Sequence, residues 1–99
     1  MKVRLLGSGT SSGVPRLGAN GPDWGSCDPA NPRNRRLRAS LLVESATTRI
    51  LVDTSPDLRE QLLAAGAPRI DAVLWTHEHA DHCHGIDDLR QLFLAQGKP

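Results

Sequence analysis

The sequence has few of the features that would identify a membrane protein or a nucleic-acid-binding protein. None of its apolar runs approaches the roughly 20 residues that a helix needs to span a bilayer. Its formal net charge is +1, so bulk electrostatics favour neither nucleic acid nor a membrane as a partner. Aromatic residues are limited to Trp24, Trp75 and Phe93, and the hydrophobic share is only 38%. Such a composition is typical of a half-domain that is covered by something else.

Cysteine is also scarce, which excludes a disulfide framework. The chain has only Cys27 and Cys83, and they stand in unlike contexts. Because no signal peptide is apparent, we expect free thiols in a reducing compartment and a cytoplasmic protein. The loop around Cys27 offers one thiol, which is too few for a structural zinc ion. We therefore predict no metal site in that loop.

Alternating strand and helix patterns predict an α/β (α+β) domain. Four short apolar runs predict strands at residues 3–6, 41–44, 49–52 and 72–75. The middle two runs are separated by four residues, which predicts a hairpin. They are so continuously apolar that we expect both faces of these strands to be covered. The order of elements predicts a mixed sheet with helices on one face, as in one layer pair of an αββα sandwich.

Two helices and one long loop complete the predicted organisation. Ser55 is expected to cap the first helix, because its hydroxyl can accept an orphan amide and Pro56 suits the first helical position. Residues 8–37 hold most of the Gly, Pro and Asn without a hydrophobic period, which predicts a long loop. Helical spacing marks the expected buried faces: Leu58, Leu62, Leu63 and Ala65 in the first helix, and Ile86, Leu89, Leu92 and Phe93 in the second.

The most informative segment is the histidine-rich run directly after the strand at 72–75. It has the order His-x-His-x-Asp-His, formed by His77, His79, Asp81 and His82. Zinc and similar cations favour nitrogen ligands together with carboxylate oxygen. On extended backbone the side chains of His77 and His79 point to the same side of the chain. A tight turn after them would direct the side chains of Asp81 and His82 to a second, neighbouring metal position. The motif predicts two divalent metal ions, zinc first and Mn²⁺ or Fe²⁺ as alternatives; a solvated histidine-rich loop is the weaker interpretation.

Two other polar residues flank this motif in the predicted fold. Asp53 ends an apolar strand, where an unpaired carboxylate would be costly. We predict that it orients a metal-bound histidine, and the alternative is a turn or helix-capping aspartate. His84 is followed by Gly85, which suggests a turn. It either contacts substrate or is a solvent-facing or helix-capping histidine.

A short basic run at residues 33–38 precedes the second strand. Within it, Arg35 and Arg36 are candidates for substrate binding, because a guanidinium can bind two phosphate oxygens at once. The alternative is a solvated strand edge whose arginines pair with Asp28 or Glu44.

The motifs together resemble the metallo-β-lactamase superfamily. The motif at 77–82, followed by Gly85, resembles the signature loop of this superfamily. Four other segments resemble its phosphodiesterase branch: 5–15, 32–40, 51–59 and 84–90. That branch includes the cyclic phosphoribosyl phosphate phosphodiesterases of phosphonate breakdown. The resemblance implies a hydrolase that uses metal-activated water, with a small phosphodiester as the first candidate substrate. It also implies that Asp81 orients the attacking water as a catalytic residue, and it places an acid at Asp53.

The resemblance further implies how the ligands are shared. His77 and His79 would bind one metal, whereas Asp81 and His82 would bind the other. All four histidines of the chain lie within residues 77–84, so the later ligands that the family requires would come from the second half of the fold.

We therefore expect residues 1–99 to form an incomplete, N-terminal metallo-β-lactamase-like half-domain that is inactive alone. The alternatives are a non-catalytic metal-binding fragment or oligomeric module, or another hydrolase of the superfamily, namely a ribonuclease, a thioesterase or a lactonase. Formation of a homo-oligomer would cover the open sheet edge that a half-domain leaves.

Overall fold

A mixed β-sheet with helices against one face organises the protein, which a computed structural model describes for residues 1–66 and 68–97. In chain order the described elements are β1 (Lys2–Gly7), β2 (Arg16–Gly18), β3 (Gly21–Asp23), β4 (Ser40–Glu44), β5 (Arg49–Val52), α1 (Leu58–Ala64), β6 (Ala72–Leu74), α2 (Ala80–Cys83) and α3 (Leu89–Gln96). Short 3₁₀ turns lie at Pro32–Asn34 and His84–Asp88. No helix in the described ranges is long and apolar enough to cross a membrane.

The main sheet has the strand order β1-β4-β5-β6. Strand β4 is antiparallel to β1 and β5, whereas β5 and β6 are parallel. The predicted hairpin is confirmed, with Glu44 opposite Arg49. Because β1, β5 and β6 run in one direction, the loops that follow them emerge at the same edge as the segment that precedes β4. Such an edge is where open α/β sheets place their ligands.

The helices cover one face of this sheet, as the sequence predicts. Leu42 and Leu51 are at most 1% exposed at the centre of that face. They belong to a core that joins the sheet to α1 and α3: Leu42, Leu51, Leu58, Leu62, Ile70 and Leu89. Leucine therefore fills the core, whereas Trp75 remains 43% exposed.

The opposite face of the sheet is open along the outer strands β1 and β6 in the described chain. On the middle strands β4 and β5, for which both faces were predicted to be covered, the side chains of this face are half-buried, so the prediction holds there only in part: Leu41, Val43, Ile50 and Val52. Val3, Leu5 and Leu74 are 60%, 61% and 57% exposed. The strand register aligns two apolar rows on this face: Val3, Val43, Ile50 and Ala72, and Leu5, Leu41, Val52 and Leu74. The continuous apolar pattern thus reflects two apolar faces, of which the described residues cover one.

The first helix differs from its prediction at its start. It begins at Leu58, and Ser55 instead forms the preceding turn, where its hydroxyl accepts a hydrogen bond from the Asp57 amide (3.1 Å). Leu63 was expected inside but is 57% exposed, whereas Gln61 is 2% exposed. Helical periodicity missed this exchange because Gln61 is buried by polar contacts rather than by its hydrophobicity.

The last helix also begins later than its apolar spacing suggests. Ile86 lies in the 3₁₀ turn and is 53% exposed, whereas Leu89 is buried in α3 as predicted. The expectation for the Phe93 side chain lies outside the described residues.

Residues 8–37 are mostly loop, as predicted. The first part of this loop is paired by backbone hydrogen bonds with the basic run at 33–38. The small β2–β3 hairpin lies within the same loop. Backbone hydrogen bonds join Gly9 N to Leu37 O (2.7 Å), and Val14 and Arg36 exchange two more (3.0 and 2.8 Å). A Cβ at Gly7 would overlap the Arg38 carbonyl oxygen. The glycines after β1 therefore allow close backbone packing against the arginine segment.

Candidate metal centre

The histidine-rich run leaves the end of β6 and brings its predicted ligands together. His77 and His79 precede α2, and their ring centroids are 4.5 Å apart. The ring centroids of His77 and His82 are 4.2 Å apart. Helix α2 carries Asp81 and His82, whose Oδ2 and Nε2 atoms are 3.2 Å apart. The four residues thus form one cluster at the sheet edge.

The cluster is not arranged as a coordination sphere. The rings of His77 and His79 meet edge to face at 73°. Within residues 1–66 and 68–97, no group of three or more His, Cys, Asp or Glu side chains has a geometry that would hold a metal ion. The ligand roles of His77, His79, Asp81 and His82 therefore stay predictions, which their proximity and their mixture of nitrogen and oxygen donors support.

Asp53 supports this cluster from the end of β5. Its side chain is 4% exposed and its φ is 66°. Oδ1 accepts a hydrogen bond from the Thr76 amide (2.7 Å), and Oδ2 accepts one from the Thr76 hydroxyl (2.8 Å) and one from His82 Nδ1 (2.6 Å). Since an ionised carboxylate can only accept, Nδ1 of His82 carries the proton and Nε2 is left for a metal. The role predicted for Asp53, orienting a metal-bound histidine, stays a prediction that this contact supports, and Asp57 rather than Asp53 lies at the helix N-cap.

Thr76 extends this arrangement to a second histidine, which the sequence analysis did not identify. Its hydroxyl lies 2.8 Å from His77 Nδ1. A threonine hydroxyl has one proton, and that proton is donated to Asp53. The hydroxyl therefore accepts from His77 Nδ1, so that Nε2 of His77 is also free for a metal. The place of Thr76 directly before His77 was the only available sequence signal.

The pKa of Asp53 results from opposing effects. Burial raises it, but hydrogen bonds from the Thr76 amide, His82 and the Thr76 hydroxyl hold the pKa below its ordinary value. Because the folded-state pKa is lowered, the carboxylate contributes stability above the unfolded-state pKa of about 3.9. That contribution is lost as the pH falls through the folded-state pKa.

Replacing Thr76 with valine is expected to change the protonation of His77 while keeping the shape of the side chain. Without its acceptor, Nδ1 would lose its preference for the proton, and zinc affinity should fall about tenfold or more. Side-chain ¹⁵N NMR would report the tautomer, and chelator competition would report the affinity. Thr76→Ser is the matched control, because it retains the hydroxyl. An unchanged His77 tautomer in Thr76→Val would contradict this role.

The remaining residues of the loop are peripheral to the cluster. His84 is exposed at the start of the 3₁₀ turn, so substrate contact by it stays a prediction. Cys83 is half-buried, and its thiol donates to the Glu78 carbonyl oxygen (3.2 Å). Cys27 is exposed, and both thiols are free, as predicted.

The basic run lies at the same edge of the sheet as the histidines. Arg36 Nη1 donates to Ser8 Oγ (3.0 Å), and Arg35 is exposed. The alternative partners expected for the run are wrong. Glu44 pairs with Arg49 (3.3 Å between Oε2 and Nε). Asp28 instead caps a local turn, in which Oδ1 accepts from the amide two residues later (2.9 Å).

Comparisons with known proteins support this interpretation of the fold. The model of the beta-lactamase superfamily domain matches residues 48–98. A diphosphatase of the PhnP family aligns over 98% of this chain and 38% of its own, with 44% identity and a TM-score of 0.84. Zinc-bound PqqB of Methylobacterium extorquens aligns over 92% of this chain and 37% of its own, with 30% identity and a TM-score of 0.70.

Among curated proteins, an octanoyltransferase of Porphyromonas gingivalis is 50% identical over 93 residues. The match covers 93% of this chain but 18% of that protein. The chain therefore spans much less than half the length of the relatives described. Residues 48–98 make up more than half of the chain. The chain therefore belongs to the beta-lactamase superfamily domain family, has the metallo-β-lactamase fold, and resembles the diphosphatase of the PhnP family.

Proposed function

We propose that this chain is the N-terminal part of a metal-dependent phosphodiesterase. The observation that carries the proposal is the shared support of His77 and His82. Asp53, directly and through Thr76, holds both rings with Nδ1 protonated, so that Nε2 of each ring is the nitrogen that would bind an ion. The 44% identity to a PhnP-family diphosphatase supports phosphate esters or anhydrides as the substrate class. We further propose that this centre holds two divalent metal ions, with zinc as the first candidate. We also propose that the protein is cytoplasmic.

The residues of the cluster suit this chemistry. His77, His79, His82 and Asp81 would hold the ions through imidazole nitrogen and carboxylate oxygen. When bound, divalent ions would lower the pKa of a coordinated water molecule and polarise a phosphoryl oxygen. Asp81 is half-buried next to His82 Nε2, where its carboxylate can accept a hydrogen bond from the attacking water and fix the direction of that water.

Asp81→Ala is expected to remove hydrolysis of bis(p-nitrophenyl) phosphate by the zinc-loaded full-length protein. We expect a loss of about 10²-fold or more, as for removal of a positioned proton acceptor. The control is Asp87→Ala, which removes an exposed carboxylate nearby. Circular dichroism would verify the fold of both variants. Full activity of a folded Asp81→Ala protein would sink this role, and we expect residues 1–99 alone to show no turnover.

A metal-binding module without turnover is the second candidate function. The open apolar face of the sheet favours it, because a second copy of the chain could cover Val3, Leu5 and Leu74. The same assay separates the two candidates. Retained zinc without hydrolysis in the full-length protein would favour the module.

A further inference from the structure

We propose that the basic run forms a second anion-binding site, separate from the histidine cluster, which takes a phosphate or diphosphate group. The site is a pocket of about 370 Å³ between the glycine-rich loop and the arginine segment. Its lining includes Ser12, Gly13, Arg35, Arg36 and Arg38. The inference deepens the proposed function, because it assigns a further phosphate group to the substrate of that hydrolase.

The charge of the pocket favours an anion. Three guanidinium groups line it, against one carboxylate, that of Asp57. Asp57 is already engaged, since Oδ2 accepts a hydrogen bond from the Arg38 backbone amide (3.0 Å). A planar guanidinium binds phosphate oxygens through two parallel hydrogen bonds, so that clustered arginines are well matched to a phosphate group.

Arg38 provides the second, independent observation. Its Nε is buried and has no hydrogen-bond partner among the described residues. The nearest carboxylate oxygen, Asp57 Oδ2, is 3.5 Å away. Buried polar groups are ordinarily satisfied, and each exception requires an explanation. Because the Arg38 side chain is 31% exposed and lines the pocket, its terminal nitrogens, rather than the buried Nε, would donate to an oxyanion there.

The neighbouring arginines have donors to spare. Arg36 uses Nη1 to contact Ser8 Oγ, which leaves its other nitrogen atoms for a ligand. Arg35 is exposed, and its guanidinium makes no hydrogen bond within residues 1–66 and 68–97. The pocket is therefore lined by three guanidinium groups: that of Arg36 is anchored on Ser8, that of Arg35 is exposed, and that of Arg38 lies beside Asp57.

A buried polar chain holds this pocket in a fixed relation to the metal loop. Gln61 Nε2 donates to the Arg38 carbonyl oxygen (2.7 Å), and Gln61 Oε1 accepts from Ser55 Oγ (2.7 Å). Next to Ser55, the Thr54 amide donates to the His82 carbonyl oxygen (2.9 Å). Ser55 and Thr54 are 0% exposed. This connection explains why a glutamine is buried in α1. It also fixes the position of the arginine pocket relative to the metal loop.

The proposal predicts binding of inorganic pyrophosphate to the metal-stripped full-length protein. Isothermal titration calorimetry at low salt should detect binding, because a low ionic strength preserves the attraction. Arg35→Gln and Arg38→Gln should each weaken it about tenfold, as expected for loss of a charge-assisted hydrogen bond. The Arg38 Nε–Hε resonance should shift on addition of pyrophosphate. Inorganic phosphate, measured in parallel, distinguishes a single phosphate from a diphosphate as the preferred group.

Arg33→Gln is the matched control, because Arg33 belongs to the same run but does not line the pocket. Its affinity should match that of the parent protein. Equal weakening in Arg33→Gln, or no binding of either anion at millimolar concentration, would overturn the proposal. If Arg38→Gln does not fold, the exposed Arg35 decides the question. The measurement uses no metal and no turnover, so its failure is distinguishable from failure of the phosphodiesterase proposal.

Discussion

Replacing Asp53 with asparagine is expected to lower the zinc affinity of the full-length protein by about 10- to 100-fold. The carboxylate accepts three hydrogen bonds, from the Thr76 amide, the Thr76 hydroxyl and His82 Nδ1. An asparagine has one oxygen and an amide group that only donates, so at least one of these donors would lose its acceptor. Each buried donor left unsatisfied costs about 1–3 kcal/mol. Loss of the acceptor at Oδ2 would release both His77 and His82, because that oxygen accepts from the Thr76 hydroxyl and from His82 Nδ1.

Asparagine is the informative substitution because of the backbone at this position. Asp53 has a φ of 66°, in the left-handed region that asparagine tolerates but alanine does not. The variant therefore tests hydrogen bonding without adding backbone strain. Asp87→Asn is the control, because that carboxylate is exposed. Chelator competition would give the affinity, and wild-type affinity in Asp53→Asn would contradict the role of Asp53.

The same variant has a predicted dependence on pH. Because its hydrogen bonds lower the pKa of Asp53 in the folded state, the carboxylate stabilises the parent protein above about pH 4 and loses that contribution in stronger acid. The stability difference between the parent and Asp53→Asn should therefore shrink as the pH falls. Urea denaturation over a pH series would measure it, and a difference that grows in acid would contradict the hydrogen-bonding pattern.

Replacing Gly85 with alanine is expected to destabilise the fold by about 1–3 kcal/mol or more. Gly85 is buried, and its amide donates to the Thr54 carbonyl oxygen (2.9 Å). A Cβ at this position would overlap the Ser55 carbonyl oxygen and lie 3.0 Å from that of Thr54. Relief of the overlap requires the backbone after β5 to move. Because the Thr54 amide donates to the His82 carbonyl oxygen, the metal loop would move as well.

The matched comparison is Gly25→Ala, which tests a different physical effect. Gly25 has a φ of 60° and open space around it, so its alanine variant should lose only about 1–2 kcal/mol to backbone strain and keep its zinc affinity. Urea denaturation would give both stabilities. A Gly85→Ala protein with the parent's stability and zinc affinity would show that this close approach is unimportant.

Local sequence was sufficient to predict the four strands of the main sheet and the candidate ligands, but not the small β2–β3 hairpin. The hairpin at 41–52 and the cluster at 77–82 each depend on contiguous residues, whose spacing and backbone direction already place side chains together. The prediction of a supporting acid at Asp53 rested on its place at the end of a strand and on the family resemblance, which places an acid there. Strand periodicity could not show which of two apolar faces is covered.

Only the tertiary structure decided how the site is supported. Thr76 and His82 meet Asp53 across 23 and 29 residues of sequence, and Gln61 meets the Arg38 carbonyl oxygen across 23. Periodicity placed Leu63 inside and missed Gln61, because burial of a polar side chain depends on partners that only the folded chain brings near. The sequence by itself determined which groups can bind a metal. The packing of distant segments determined which of their nitrogen atoms are free to do so, since each hydrogen bond at Nδ1 leaves Nε2 available.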